Sequence, residues 1–208
     1  MFDSHCHLQF KAYDEDQNEV IARILESKTK CIIVGTQKDT SAAAAELAKK
    51  YPNQFYASVG LHPTHLHSRH VDEKEGAFKS REEDFDFDFY KKLAQDPTVV
   101  AIGETGLDYF RMPDHVSEQE IKQKQKEVFL QHIDLAEEVN KPMVIHCRDA
   151  YDDLAELWKE RNPKIKATVH CFTGNELEVE KLVSLGLYVG FTGIITFPPR
   201  KDDPEAQE

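Results

Sequence analysis

Val99-Val100-Ala101-Ile102-Gly103-Glu104 is a short apolar run that ends in a carboxylate. Its β-branched residues read as a buried strand over Val99 to Gly103, which delivers Glu104 to the strand's carboxyl end. The same arrangement recurs along the chain. Phe2 to His5 is a first strand, and His5 and His7, two residues apart, share one side of an extended backbone. Cys31 to Val34, before Gly35, is a second strand, and Phe55 to Val59 a third that runs into Gly60-Leu61-His62-Pro63. Pro142 to His146 and Ala167 to His170 form the fifth and sixth, each ending in its histidine, and Leu187 to Phe191 the seventh.

Helical segments separate these runs. Asp16 to Ser27 carries Val20, Ile21, Ile24 and Leu25 on one face, and Thr40 to Lys50 is alanine-rich. Ser117 and Glu120 form a capping box for a helix reaching about Val139, with Ile121, Val128 and Leu135 at heptad spacing. Asp149 to Arg161 and Asn175 to Leu185 complete the set. Strand–helix alternation implies a parallel sheet with helices outside, either an open doubly wound sheet or a (β/α)8 barrel. No G-x-G-x-x-G follows the first strand and no Walker lysine motif occurs, so the nucleotide-binding open sheets lose support. His5, His7, His62, Glu104, His146 and His170 all fall at carboxyl ends of different strands, and only a barrel brings those ends to one mouth. The expected fold is therefore α/β of the (β/α)8 TIM-barrel type, with about seven strands present.

Two segments depart from the alternation. Thr64 to Tyr90 is long and polar, with His65, His67 and His70 and then Phe85, Phe87 and Phe89 alternating with aspartates; it reads as a solvated loop leading into a helix. The phenylalanines fit a strand or a helix end equally. Residues 198–208, charged and proline-bearing, read as a disordered tail, which leaves 1–197 as the barrel domain.

The chain has 208 residues, 40% of them hydrophobic and 31% charged, with a mean hydropathy of -0.58. No apolar run reaches membrane-spanning length and no signal peptide precedes the first strand, so a soluble cytoplasmic protein without a membrane partner is expected. The four cysteines contain no C-x-x-C pair; Cys6, Cys147 and Cys171 each follow a histidine and read as buried reduced thiols. A net charge of -12 argues against nucleic-acid binding through a broad basic face, though a few local arginines or metal ions can reverse the field within one cleft.

His5, His7, Glu104, His146 and His170 have the chemistry of a two-metal hydrolase. Glu104 is placed to bridge two divalent ions, His5 and His7 to hold one, and His146 and His170 the other. Such ions, roughly 3.5–4 Å apart, activate water and stabilise the leaving oxygen of a phosphoryl displacement. Imidazole and carboxylate together suit Zn2+ or Mn2+, whereas Mg2+ prefers more oxygen; all three stay open.

His5-Cys6-His7, Gly60-Leu61-His62-Pro63, Gly103-Glu104-Thr105-Gly106-Leu107-Asp108-Tyr109, His146-Cys147-Arg148 and His170-Cys171-Phe172-Thr173-Gly174 together resemble the TatD family of metal-dependent deoxyribonucleases, amidohydrolase-type TIM barrels. The resemblance runs to about Phe197. It implies hydrolysis of DNA phosphodiesters, as a 3′→5′ exonuclease on single-stranded DNA, with Glu104 catalytic and the metal-ligand roles above. It further implies phosphate or substrate contacts for His62 and Arg148, and for Asp108 and Tyr109 either substrate contact or a structural role in the loop after Glu104.

The family pattern continues with a helix and an eighth strand ending in an aspartate that holds the first metal; no such strand follows Phe197 here, and Asp202 and Asp203 do not take that role. The first and seventh strands are thus expected to present open edges, a route to self-association. Two other readings stand beside the nuclease. One is a small-molecule amidohydrolase on the same barrel, although many of those enzymes bridge their metals with a modified lysine rather than a glutamate. The other is an inactive, truncated metal-binding remnant.

Overall fold

The computed structural model describes residues 1–67, 69–70, 79–80 and 82–196, the two short stretches by backbone alone. The expected 198–208 tail, Phe197 and the side chain of His70 lie outside the described residues.

Seven strands form one sheet: β1 (Phe2–Cys6), β2 (Lys30–Val34), β3 (Phe55–Val59), β4 (Val99–Asp108), β5 (Met143–Arg148), β6 (Ala167–Val169) and β7 (Tyr188–Val189). They lie in chain order, and every neighbouring pair is parallel. A doubly wound sheet reverses its strand order part-way; this one does not, which is the winding of a barrel. The sheet also curls. His5, on β1, stacks on His170, just past β6, with ring centroids 3.9 Å apart. The barrel-type expectation therefore holds. Among the described residues β1 pairs only with β2, and β7 only with β6.

Among the described residues six α-helices link the strands: α1 (Gln17–Glu26), α2 (Lys38–Lys50), α3 (Phe87–Ala94), α4 (Glu118–Val139), α5 (Tyr151–Arg161) and α6 (Glu176–Ser184). The core lies between the sheet and these helices: Ile33, Phe55, Ala57, Val59 and Ile145 meet Ala44, Ala48, Phe129, Ile133 and Leu154, all essentially inaccessible. The capping box expected before α4 is realised in its serine half, with the Ser117 hydroxyl accepting the Glu120 N–H at 3.3 Å, a contact worth about 1 kcal/mol. Asn140 ends α4 in the left-handed region at φ 50, where asparagine is tolerated better than most residues. None of the described helices is long and apolar enough to cross a membrane.

The phenylalanine alternation resolves as a helix start. Asp86 caps α3 by accepting the Phe89 N–H at 3.1 Å, so a period-two pattern straddles a cap rather than a strand. Upstream, Arg69–His70 and Lys79–Ser80 pair as a short antiparallel ribbon. The strand expected to stop at Gly103 instead continues to Asp108, because its pairing with β5 resumes at Thr105 and extends to Arg148. All four cysteines are free; Cys31 and Cys147 are buried, Cys6 and Cys171 partly so.

Candidate metal centre at Glu104

The centre is built on an irregularity in β4. Register with β5 shifts between Ile102 and Thr105, and such a bulge re-aims one side chain. Gly103 at the shift has φ +139, and a Cβ there would lie 2.3 Å from the Val144 carbonyl oxygen. Only glycine permits that backbone at that separation. Glu104, 3% exposed, consequently lies between the ends of the other strands.

Its two carboxylate oxygens face different groups. Oε2 is 3.4 Å from His5 Nε2 and 3.8 Å from His7 Nε2. Oε1 is 3.3 Å from His62 Nε2, 3.2 Å from His146 Nδ1 and 2.7 Å from His170 Nε2. All five expected ligands are thus brought together, and His62, expected as a substrate contact, stands as close to Glu104 as His146 does. At this centre the donor atoms of His5, Glu104 and His170, and those of His62, Glu104 and His146, are close enough together to hold an ion.

The donor set fits a metal ion. His5 Nε2 and His7 Nε2 lie 3.2 Å apart and approach one carboxylate oxygen, so their lone pairs converge. Imidazole nitrogens around a carboxylate are a borderline donor set suited to Zn2+ or Mn2+.

Further residues fix the imidazoles. His7 Nδ1 donates to the Val34 carbonyl at 2.9 Å. His146 Nε2 donates to Asp108 Oδ2 at 2.9 Å, and Asp108 Oδ1 accepts the N–H groups of Phe110 at 3.1 Å and Arg111 at 2.7 Å. Asp108 is fully buried. Tyr109 donates its hydroxyl to Asp153 at 2.6 Å, and the Arg148 guanidinium lies 3.9 Å from the centre of the Phe110 ring. His5 Nδ1 is buried and has no hydrogen-bond partner among the described residues.

The electrostatics follow from this packing. Burial alone would raise the Glu104 carboxyl, but the fields of His62 and His170 and hydrogen bonds from His146 and His170 hold it well below the carboxylate range. Burial opposes a charge on His146, yet carboxylates on both its nitrogens push it up to about 9. Burial likewise opposes ionisation of Asp108, which hydrogen bonds from His146 and the Arg111 amide bring down to about 2. His62, without such a flanking pair, is driven by burial down to about 4.

The family model for TatD related DNase matches residues 2–207. The chain belongs to the TatD related DNase family. That places it among metal-dependent hydrolases acting on ester bonds. It is 36% identical to YabD of Bacillus subtilis, an uncharacterised metal-dependent hydrolase, over 99% of this chain and 73% of the relative. It is 35% identical to the 3′-5′ ssDNA/RNA exonuclease TatD of Yersinia pseudotuberculosis, over 93% of this chain and 68% of the relative. The crystal structure of YJJV, a TatD homologue from Escherichia coli, superposes with a TM-score of 0.78 at 28% identity, covering 95% of this chain and 70% of that one.

Two supports of this TatD-family site escaped the sequence reading. Gln125 accepts the Asp108 N–H at 2.8 Å and donates to the Asp108 carbonyl at 3.0 Å. His132 accepts the Leu61 N–H at 3.0 Å, beside His62, and donates to the Val128 carbonyl at 2.8 Å. Both stand on the stripe of α4 that carries Ile121 and Val128, where a polar residue needs a buried partner; that was the available signal.

Proposed function

We propose that this chain hydrolyses phosphodiester bonds of single-stranded DNA from the 3′ end, with two divalent ions (Mg2+, Mn2+ or Zn2+) in its centre. The observation that carries this reading is the two-sided carboxylate. Glu104 turns Oε2 toward His5 and His7 and Oε1 toward His62, His146 and His170. A carboxylate with imidazoles on both oxygens suits a bridging ligand. We assign His5 and His7 to one ion, His146 and His170 to the other, and a third imidazole on the second side to His62. When bound, the ions supply Lewis-acid polarisation and charge neutralisation at the phosphodiester.

The chain's own groups do the rest. Asp108 does not contact substrate in this reading; it is buried behind His146 and orients that ring, as carboxylates behind ligating imidazoles commonly do. Tyr109, tied to Asp153, braces the same turn. Arg148, at the rim, offers a planar donor fork to phosphate oxygens. The polarity and substrate class rest on the exonuclease named above, whose name also includes RNA. We also assign the chain to the cytoplasm, in keeping with four free thiols, and self-association to the edges of β1 and β7, where Phe2 and Tyr188 are exposed. Concentration-dependent sedimentation is the expected result for that edge; a monomer at all concentrations contradicts it.

The test of activity is single-stranded DNA labelled at its 5′ end, incubated with the chain and Mg2+ or Mn2+. Stepwise shortening that stops in Glu104→Ala supports the reading. A folded, metal-loaded chain that leaves DNA intact overturns it, and hydrolysis confined to cyclic amides or esters transfers the site to small-molecule chemistry.

A further inference from the structure

We propose that Phe110 and Arg148 form a nucleobase shelf at the rim of the centre, on which one base of a single strand stacks while its neighbouring phosphate sits at Glu104. This rests on the nuclease reading for its ligand, and on different residues for its evidence.

Phe110 is 59% exposed, although a phenyl ring gains by burial. The Arg148 guanidinium lies 3.9 Å from its ring centre and so covers one face, leaving the other for a second planar partner. The backbone that carries the ring is firmly held. Its backbone N–H is gripped by Asp108 Oδ1 at 3.1 Å, and the other oxygen of that carboxylate holds His146 at 2.9 Å. The preceding residue, Tyr109, donates its N–H to the Arg148 carbonyl at 2.9 Å and its hydroxyl to Asp153. One carboxylate therefore ties the shelf to the metal centre, and one backbone bond ties the phenyl-bearing turn to the strand that carries both His146 and Arg148.

This arrangement suits a nucleobase. Every base has a π-face, so stacking tolerates sequence, as an enzyme stepping along a strand requires. The backbone of the shelf is already fixed, and a phenyl ring has few rotamers to lose, so the ordering cost on binding is small. Arginine adds a cation that stacks through its plane and presents N–H groups at its edge, which suits a phosphate next to a base. In a protein of net charge -12, such a local cation matters for holding a polyanion. The shelf also selects for single strands, because bases within a duplex are already stacked on both faces.

The test measures binding and turnover separately. Single-stranded DNA with a hydrolysis-resistant 3′ end is titrated by fluorescence anisotropy in Mn2+, with either normal or abasic nucleotides at its last two positions. Removing those bases should weaken wild-type binding about tenfold. Phe110→Ala should weaken binding of normal DNA similarly, and should lose little more on abasic DNA. Phe110→Trp should retain base-dependent binding, and on cleavable DNA Phe110→Ala should raise KM more than it lowers kcat. Phe110→Ala binding within twofold of wild type, or losses from the two changes that multiply, overturns the shelf. Wild-type cleavage with base-independent binding fails the shelf alone; base-dependent binding through Phe110 without cleavage supports the shelf and fails the nuclease reading.

Discussion

The two sides of Glu104 are held to different standards. On the Oε1 side, His146 is clamped by Asp108, Asp108 is clamped by Gln125 and two backbone amides, and the His62 loop is tied to α4 through His132. On the Oε2 side, His7 is held by one carbonyl, and His5 has no partner on its Nδ1 among the described residues. The difference teaches that ligand identity and ligand orientation are separate properties. Both sides have their imidazoles, but only one has a dense set of groups that aim them.

The largest effect is expected where the sides meet. Glu104→Gln keeps the shape but removes the shared charge, and activity on single-stranded DNA should fall at least about 100-fold with circular dichroism unchanged. An equal loss of ion binding on both sides would confirm that the carboxylate is shared. Asp108→Asn attacks the well-held side alone. It should lower activity or metal affinity about 10- to 100-fold, and a weaker effect would show that the dense network is structural only.

His132 tests whether the well-held side depends on α4. It is fully buried, and burial drives it from its ordinary 6.5 down to about 3. The unfolded chain therefore binds a proton there that the folded chain refuses between these two values. The stabilisation is complete above 6.5, and it is lost as pH falls toward 3. Hydrogen-exchange protection at Leu61 and its neighbours, corrected for the intrinsic rate at each pH, should fall below about pH 6 before that in β1 does. His132→Ala, which strands the Leu61 N–H, should cost about 2–4 kcal/mol in denaturant unfolding.

The smallest effect belongs to the Oε2 side. Gln9 donates to the same Val34 carbonyl as His7, at 2.7 Å. Gln9→Ala removes a competitor for that oxygen and a long bond to the Thr40 carbonyl at 3.4 Å, and should change activity under about fivefold.

The order of strands and helices was legible because buried parallel strands are continuous apolar runs, such as Cys31 to Val34, and helices carry caps, such as Ser117. The site was legible wherever a polar residue ended such a run, as at His146 and His170. What hid was whatever depends on register. The shift around Gly103 carries β4 on through Glu104 to Asp108, and no local pattern announces it. Asp108 was left between substrate contact and a structural role, because burial of an acid depends on the partners that surround it. His62 moved to the heart of the centre for a similar reason: the curl of the sheet, not its loop sequence, decides what it faces. The Phe85, Phe87 and Phe89 alternation stayed open between a strand and a helix end because a capping aspartate lay inside the pattern.

The central claim is that one carboxylate serves two ions, and counting Mn2+ by equilibrium dialysis with electron paramagnetic resonance tests it most directly. Two ions per chain with a spin-coupled spectrum, and loss of that coupling in Glu104→Gln, is the predicted result. A single uncoupled ion, or a coupled pair that survives Glu104→Gln, would contradict it.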